Sequence, residues 1–154
     1  MYCFIVNRVS GNGKALKIWS HIKQKVEELD LNYCVHFTQR AKHATQIVQE
    51  HISGNEATVI IVVGGDGTVH EAINGLIGST IPLGIIPAGS GNDFCRALGI
   101  PINFDQALER ILNDECMTID VGQINTSYFA SVAGVGFDGQ VAKATNQSKF
   151  KKKH

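Results

Sequence analysis

A net charge, a paired cysteine motif and a long apolar run are all missing from this 154-residue chain. Its 14 basic and 14 acidic side chains cancel, so nothing global marks it for nucleic acid. The dense basic run is confined to Lys149 and Lys151-Lys152-Lys153, which reads as a solvated tail with weak attraction for anionic lipid. Cys3, Cys34, Cys95 and Cys116 lie far apart with no CxxC pair. That spacing argues against zinc and against a disulfide framework, and it leaves Cys3 and Cys34 as packing residues in strands. No stretch approaches the ~20 apolar residues of a spanning helix, and the N-terminus lacks the charged start of a signal peptide. The expectation is a soluble, cytoplasmic protein with reduced thiols. Repeats and low-complexity segments are absent too.

What is there is the composition of a folded domain, 44% apolar and 18% charged. A chain of this length can bury roughly 70% of its unfolded surface. Short apolar runs at Tyr2–Val6, Tyr33–Phe37, Val59–Val63, Ile81–Ile86 and Met117–Ile119 predict buried strands. Between them Ala15, Ile18, Trp19, Ile22, Val26 and Leu29 recur at helical spacing, as do Ala44, Ile47, Val48 and Ile52. Short helices are expected at Val69–Leu76 and Phe94–Leu98, and a longer one capped by Asp105. Alternating elements with strands apolar on both faces predict a three-layer α/β fold, a parallel sheet with helices on each side. This domain covers residues 1–122. Beyond it, Tyr128–Ala133 and Gly134–Phe137 follow one another without a helix, which predicts a β-hairpin opening an all-β region. Residues 123–154 are too few to bury a core of their own, so the chain is expected to stop inside a β-rich domain.

The most informative stretch is Val59-Ile60-Ile61-Val62-Val63 running into Gly64-Gly65-Asp66-Gly67-Thr68. A strand, a glycine turn and a helix start, in that order, let backbone N–H groups surround phosphate. Two other glycine loops, Asn7 to Gly13 and Gly89 to Asp93, also follow strand ends. In an open α/β sheet the ligand crevice lies at those carboxyl ends. Familiar phosphate motifs fail: Gly13-Lys14 is followed by Ala15, and Leu16 stands where a dinucleotide fingerprint needs its third glycine. Asp66, Asp93 and Asp120 each sit past an expected strand and could meet at one sheet edge. Asp93 and Asp120 read equally well as caps or turn formers. Asp66 has less capping work, since Thr68 could cap that helix, and it is the candidate for chemistry. A carboxylate among phosphates implies a divalent cation or a proton acceptor.

Gly64-Gly65-Asp66-Gly67-Thr68 with Glu71 and Asn74-Gly75, followed by Gly89-Ser90-Gly91-Asn92-Asp93-Phe94, resembles the diacylglycerol kinase catalytic domain. Asn7-Arg8-Val9-Ser10-Gly11 resembles the family's Asn-Pro-x-Ser-Gly loop, and Thr38 with His43-Ala44 its Thr…His-Ala segment. Ile119-Asp120-Val121-Gly122, Tyr128-Phe129 and Gly136-Phe137-Asp138 are similar to the start of its β-domain. The resemblance implies an ATP-dependent lipid kinase moving the γ-phosphate to a lipid hydroxyl such as that of diacylglycerol. It implies that Asn7, Ser10, Gly11, Thr38, Gly65, Asp66, Gly67, Thr68, Val69, His70, Glu71 and Ser90 line the ATP site. Mg²⁺ would accompany the nucleotide, Asp66 would organise the metal or assist proton removal, and Asp93 and Asp120 would support it. ATP and a lipid acceptor are then the partners, and peripheral membrane contact and a homodimer are compatible with this reading. Arg8 stands where the family has proline, and Ser90 where it has threonine. Family members run to roughly twice this length, and their β-domain supplies the lipid-binding surface together with further catalytic and metal residues. The alternatives are a catalytically incomplete nucleotide-binding module and an NAD kinase-like or phosphofructokinase-like enzyme. The Gly-Ser-Gly-Asn-Asp-Phe loop speaks against the enzymes of the second alternative.

Overall fold

The computed structural model describes residues 1–130. The expected hairpin strand Gly134–Phe137, residues Ser131–Ala133 of its partner, Asp138 and the basic run from Lys149 lie outside the described residues. The elements follow in the order β1 (Tyr2–Val6), α1 (Lys14–Glu28), β2 (Tyr33–Phe37), α2 (His43–Gly54), β3 (Val59–Gly64) and α3 (Asp66–Leu76). Then come β4 (Leu83–Pro87), α4 (Asp93–Ala97), α5 (Phe104–Leu112), β5 (Gly122–Ile124) and β6 (Ser127–Phe129). The first four strands make one parallel sheet in the order β2-β1-β3-β4.

Strand periodicity divides the core into two layers. Cys3, Ile5, Ile60 and Val62 face one side with Ile47, Val48, Val69, Ala72 and Phe94 from α2, α3 and α4. Phe4, Val6, Ile61 and Val63 face the other, with Ile18, Trp19, Ile22 and Leu108 from α1 and α5. These central-strand residues are fully buried, and each such side chain contributes roughly 1.5–3 kcal/mol. The sheet is therefore covered by helices on both faces, as its two-sided apolar strands require. α2 and α3 approach closely at Gly75, where a Cβ would lie 2.8 Å from Val48 Cβ.

Four local expectations are corrected. Met117–Ile119 forms no strand; Ile119 and Val121 instead line a cavity of about 380 Å³ that separates this segment from β4. Among the described residues the sheet thus ends at β4, and Asp120 follows irregular chain. Asp105 does not cap α5; Asn103 does, its side chain accepting from the N–H groups of Asp105 and Gln106. Asp105 is free to take Lys25 of α1 in a 2.6 Å ion pair, which ties the two helices of that layer together. α3 begins at Asp66 rather than after Thr68, because Gly65 is extended at φ −107° and serves as N-cap. Leu29 lies past the end of α1 and is 56% exposed, so it is no core position.

β5 and β6 pair antiparallel across the turn at Asn125. Gly122 lies beneath Phe129, where the ring fills the space a Cβ would need. Asn74 of α3 holds this hairpin to the sheet domain. Its Oδ1 accepts from Tyr128 N–H and its Nδ2 donates to Tyr128 C=O, each at 2.9 Å, so one side chain imitates a neighbouring strand.

Candidate active site

β1 and β3 are neighbours, yet the helices they feed lie on opposite faces, α1 over Phe4 and Val6 and α3 over Ile5 and Val62. Diverging connections open a crevice at the carboxyl edge, the usual ligand position of such sheets. Three loops meet there. Gly11 is left-handed at φ +57° and lies so near the Ala88 carbonyl oxygen that a Cβ would collide with it. A Cβ on Gly89 would come within 2.6 Å of Gly65 Cα, and one on Gly65 within 3.4 Å of Ser10 Oγ. The glycines thus serve a backbone-to-backbone approach that side chains would block.

Hydrogen bonds fix the floor. Asn7 Nδ2 donates to Thr68 Oγ1 at 2.8 Å, while Asn7 Oδ1 accepts from Val9 N–H. Thr68 is 4% exposed and spends its hydroxyl on Asn7, so it does not cap α3. The buried Asn92 clamps Gly89 through both its N–H and its C=O, each at 2.9 Å. The N–H groups of Asp66 and Gly67, at the start of α3, have no partner within a helix and none elsewhere among the described residues. They are the donors a phosphate would find.

Asp66 and Glu71 both do capping work, for helices other than their own. α4 starts from Asn92 in the left-handed region with no side-chain cap, and Asp66 Oδ1 accepts from Phe94 N–H at 3.1 Å. α2 starts from Lys42 in the same uncapped way, and Glu71 Oε2 accepts from Ala44 N–H at 3.2 Å. Thr45 Oγ1 adds a 2.7 Å bond to Glu71 C=O. Asp66 keeps Oδ2 free of that bond. This oxygen and Asp93 Oδ2 each lie 3.3 Å from the point a Gly91 Cβ would occupy, so two carboxylates share one space. Cys95 beneath them has its thiol pushed up to about 11, by burial first and then by the charge of Asp66.

The other sequence candidates are distributed unevenly. Thr38 follows β2 at the same edge, its N–H bonded to Val6 C=O at 3.0 Å. Ser90 is exposed at the tip of the β4 loop. Val69 is 2% exposed and belongs to the core. His70 lines a cavity of about 310 Å³ with Asp66, Asp93, Phe94 and Phe129. Asp120 is exposed and lines neither this cavity nor the one beside β4. Arg8 rests its guanidinium 4.5 Å from the centre of the Phe37 ring. Sequence reasoning missed the work of Asn74 and Asn92. A polar residue beside a glycine loop or at a helix start signals such a role, but not its distant partner.

A family model described as the diacylglycerol kinase catalytic domain matches residues 1–124. The chain belongs to this family. Diacylglycerol kinase of Bacillus subtilis (strain 168) is 38% identical over 135 residues, 86% of this chain and 44% of that protein. Diacylglycerol kinase of Staphylococcus carnosus (strain TM300) is 32% identical over 149 residues, 96% of this chain and 48% of that one. A crystal structure of a diacylglycerol kinase from Bacillus anthracis str. Sterne superposes with a TM-score of 0.73 at 35% identity. It is matched over 83% of this chain and 45% of its own. The diacylglycerol kinase catalytic domain and its α/β architecture are therefore present, and the chain spans about half the length of these relatives. Among the described residues no helix is long and apolar enough to cross a membrane.

Proposed function

We propose that this domain holds ATP for phosphoryl transfer to a lipid hydroxyl such as that of diacylglycerol. The observation that carries the reading is the three-loop backbone cradle, with Gly11 against Ala88 and Gly65 against Gly89. Over it, the open N–H groups of Asp66 and Gly67 begin an 11-residue helix, whose positive end favours phosphate. Asn7, Ser10, Gly11 and Thr38 would border the nucleotide on the β1 and β2 side, and Ser90 on the β4 side. Asp66 and Asp93 would hold Mg²⁺, which when bound offsets phosphate charge during transfer. Asp66 would serve through Oδ2, its Oδ1 being held by Phe94 N–H. The neighbouring cavity has Asp66 and Asp93 with Val69, Ile73, Phe94 and Phe129, a lining that suits a hydroxyl carried on an apolar body approaching from a membrane surface.

Transfer of labelled γ-phosphate from ATP, offered diacylglycerol in mixed micelles, sphingosine and NAD in parallel, tests this. Diacylglycerol should be labelled, and Asp66→Asn should lower the rate by about 10²-fold or more while keeping an acceptor for Phe94 N–H. Labelling of NAD instead would overturn the lipid assignment. ATP binding with no acceptor labelled would leave a nucleotide-binding module.

A further inference from the structure

Among the described residues, one group of metal-ligating side chains lies away from the crevice, under α2. Cys3 of β1, Cys34 and His36 of β2 and His51 of α2 each bring one ligand atom to a cluster whose members all lie within 4.8 Å of one another. The topology explains the meeting. Parallel pairing sets Cys3 opposite Cys34, and the two-residue period of a strand returns His36 to the face of Cys34. His51, in the last turn of α2, closes over that face and is 7% exposed. Cys34 Sγ is 3.8 Å from His51 Nε2, and His51 Nε2 is 2.9 Å from His36 Nε2. A tetrahedral zinc ion holds sulfur and nitrogen ligands ~3.4–3.8 Å apart, so shifts of about an ångström or less would complete the set.

A second observation concerns the far side of the His51 ring. His51 Nδ1 is a buried polar atom with no hydrogen-bond partner, and it faces Glu56 Oε2 at 3.5 Å. A carboxylate behind the second ring nitrogen is the usual outer partner of a metal-bound histidine, because it fixes the tautomer. A proton on Nδ1, on the Glu56 side, would leave the Nε2 lone pair directed to His36 and Cys34.

We propose that Cys3, Cys34, His36 and His51 form a closed structural site for zinc(II), clamping α2 to the β1–β2 edge of the sheet. Two thiolates and two neutral imidazoles are the donors zinc takes when no position is left open for chemistry. Their charge balances the ion, and the two thiol protons leave to solvent on binding. Reading Cys3 and Cys34 as packing residues rested on linear spacing, which cannot register ligands drawn from three elements.

The full chain, made without a polyhistidine tag and kept in a thiol-free reductant, is stripped of metal and titrated with cobalt(II), then zinc(II). One cobalt per chain should bind with a tetrahedral ligand-field spectrum and a thiolate-to-cobalt charge-transfer band, both removed by zinc. Zinc at a hundredfold excess over its Kd should raise Tm by roughly 8 °C. Cys34→Ser should lose charge-transfer intensity, and His36→Gln, at a partly exposed position, should weaken binding at least tenfold with an unchanged circular dichroism spectrum. If Cys34→Ser does not fold, His36→Gln carries the comparison. An octahedral or substoichiometric cobalt signal, a Cys3–Cys34 disulfide that persists in reductant, or binding indifferent to the variants that fold overturns the site.

Discussion

Adding one methyl group at Gly11 probes the cradle more sharply than removing any side chain around it. The residue is left-handed and touches the Ala88 carbonyl, so Gly11→Ala meets both a backbone penalty of roughly 1–2 kcal/mol and a collision that parts two loops. ATP affinity should fall at least tenfold by calorimetry. Gly67→Ala is the contrast, since a Cβ there meets nothing within 4 Å; it should raise the denaturation midpoint by about 0.5–1 kcal/mol equivalent. Cys95 makes a second prediction at this scale. Its folded value, about 11, stands above the ordinary 9.0, so the folded state keeps a proton that the unfolded state gives up. The stability this thiol contributes is complete below pH 9 and is lost as pH climbs from 9 through 11. The difference in urea midpoint between the protein and Cys95→Ala should change across that window in the direction of a weakening wild type. A difference independent of pH would remove the effect.

At the scale of elements, side chains of α3 decide how its neighbours begin and what rests on it. Glu71→Ala should cost about 1 kcal/mol through the lost cap on α2, and Glu71→Gln much less, because an acceptor remains. Urea titration separates the two. Asn74→Ala removes both bonds to Tyr128, and hydrogen exchange at the Tyr128 amide should accelerate while the β3 amides stay protected. β1, β2 and β3 were legible in the sequence because buried parallel strands read as unbroken apolar runs. Met117-Thr118-Ile119 has the same texture, yet pairing needs a partner edge, and a cavity lies between it and β4. Thr68 and Asp105 do not cap α3 and α5, because Asn7 engages the Thr68 hydroxyl and Asn103 caps α5 from two residues before Asp105. Local pattern finds the nearest oxygen acceptor, whereas for α4 and α2 the fold took Asp66 from 28 residues away for Phe94 and Glu71 from 27 away for Ala44.

Over the whole molecule, the three glycine loops could be placed at one sheet edge from the alternation of strand and helix alone. Their mutual contacts could not, since they depend on how far α1 and α3 splay on opposite faces. Cys3, Cys34, His36 and His51 were invisible as a group, because only the β1–β2 register and the return of α2 bring them together. Asp120 was assigned by its place after an expected strand, and that strand is absent. The cross-capping by α3 carries one more consequence. The helix whose first two amides are without a partner among the described residues is also the helix whose carboxylates secure the starts of α2 and α4. A nucleotide that stiffens the first turn of α3 therefore registers at two distant backbone positions at once. The amides of Ala44 and Phe94 should slow together in hydrogen exchange when ATP is added, with Asp66→Ala uncoupling Phe94 and Glu71→Ala uncoupling Ala44.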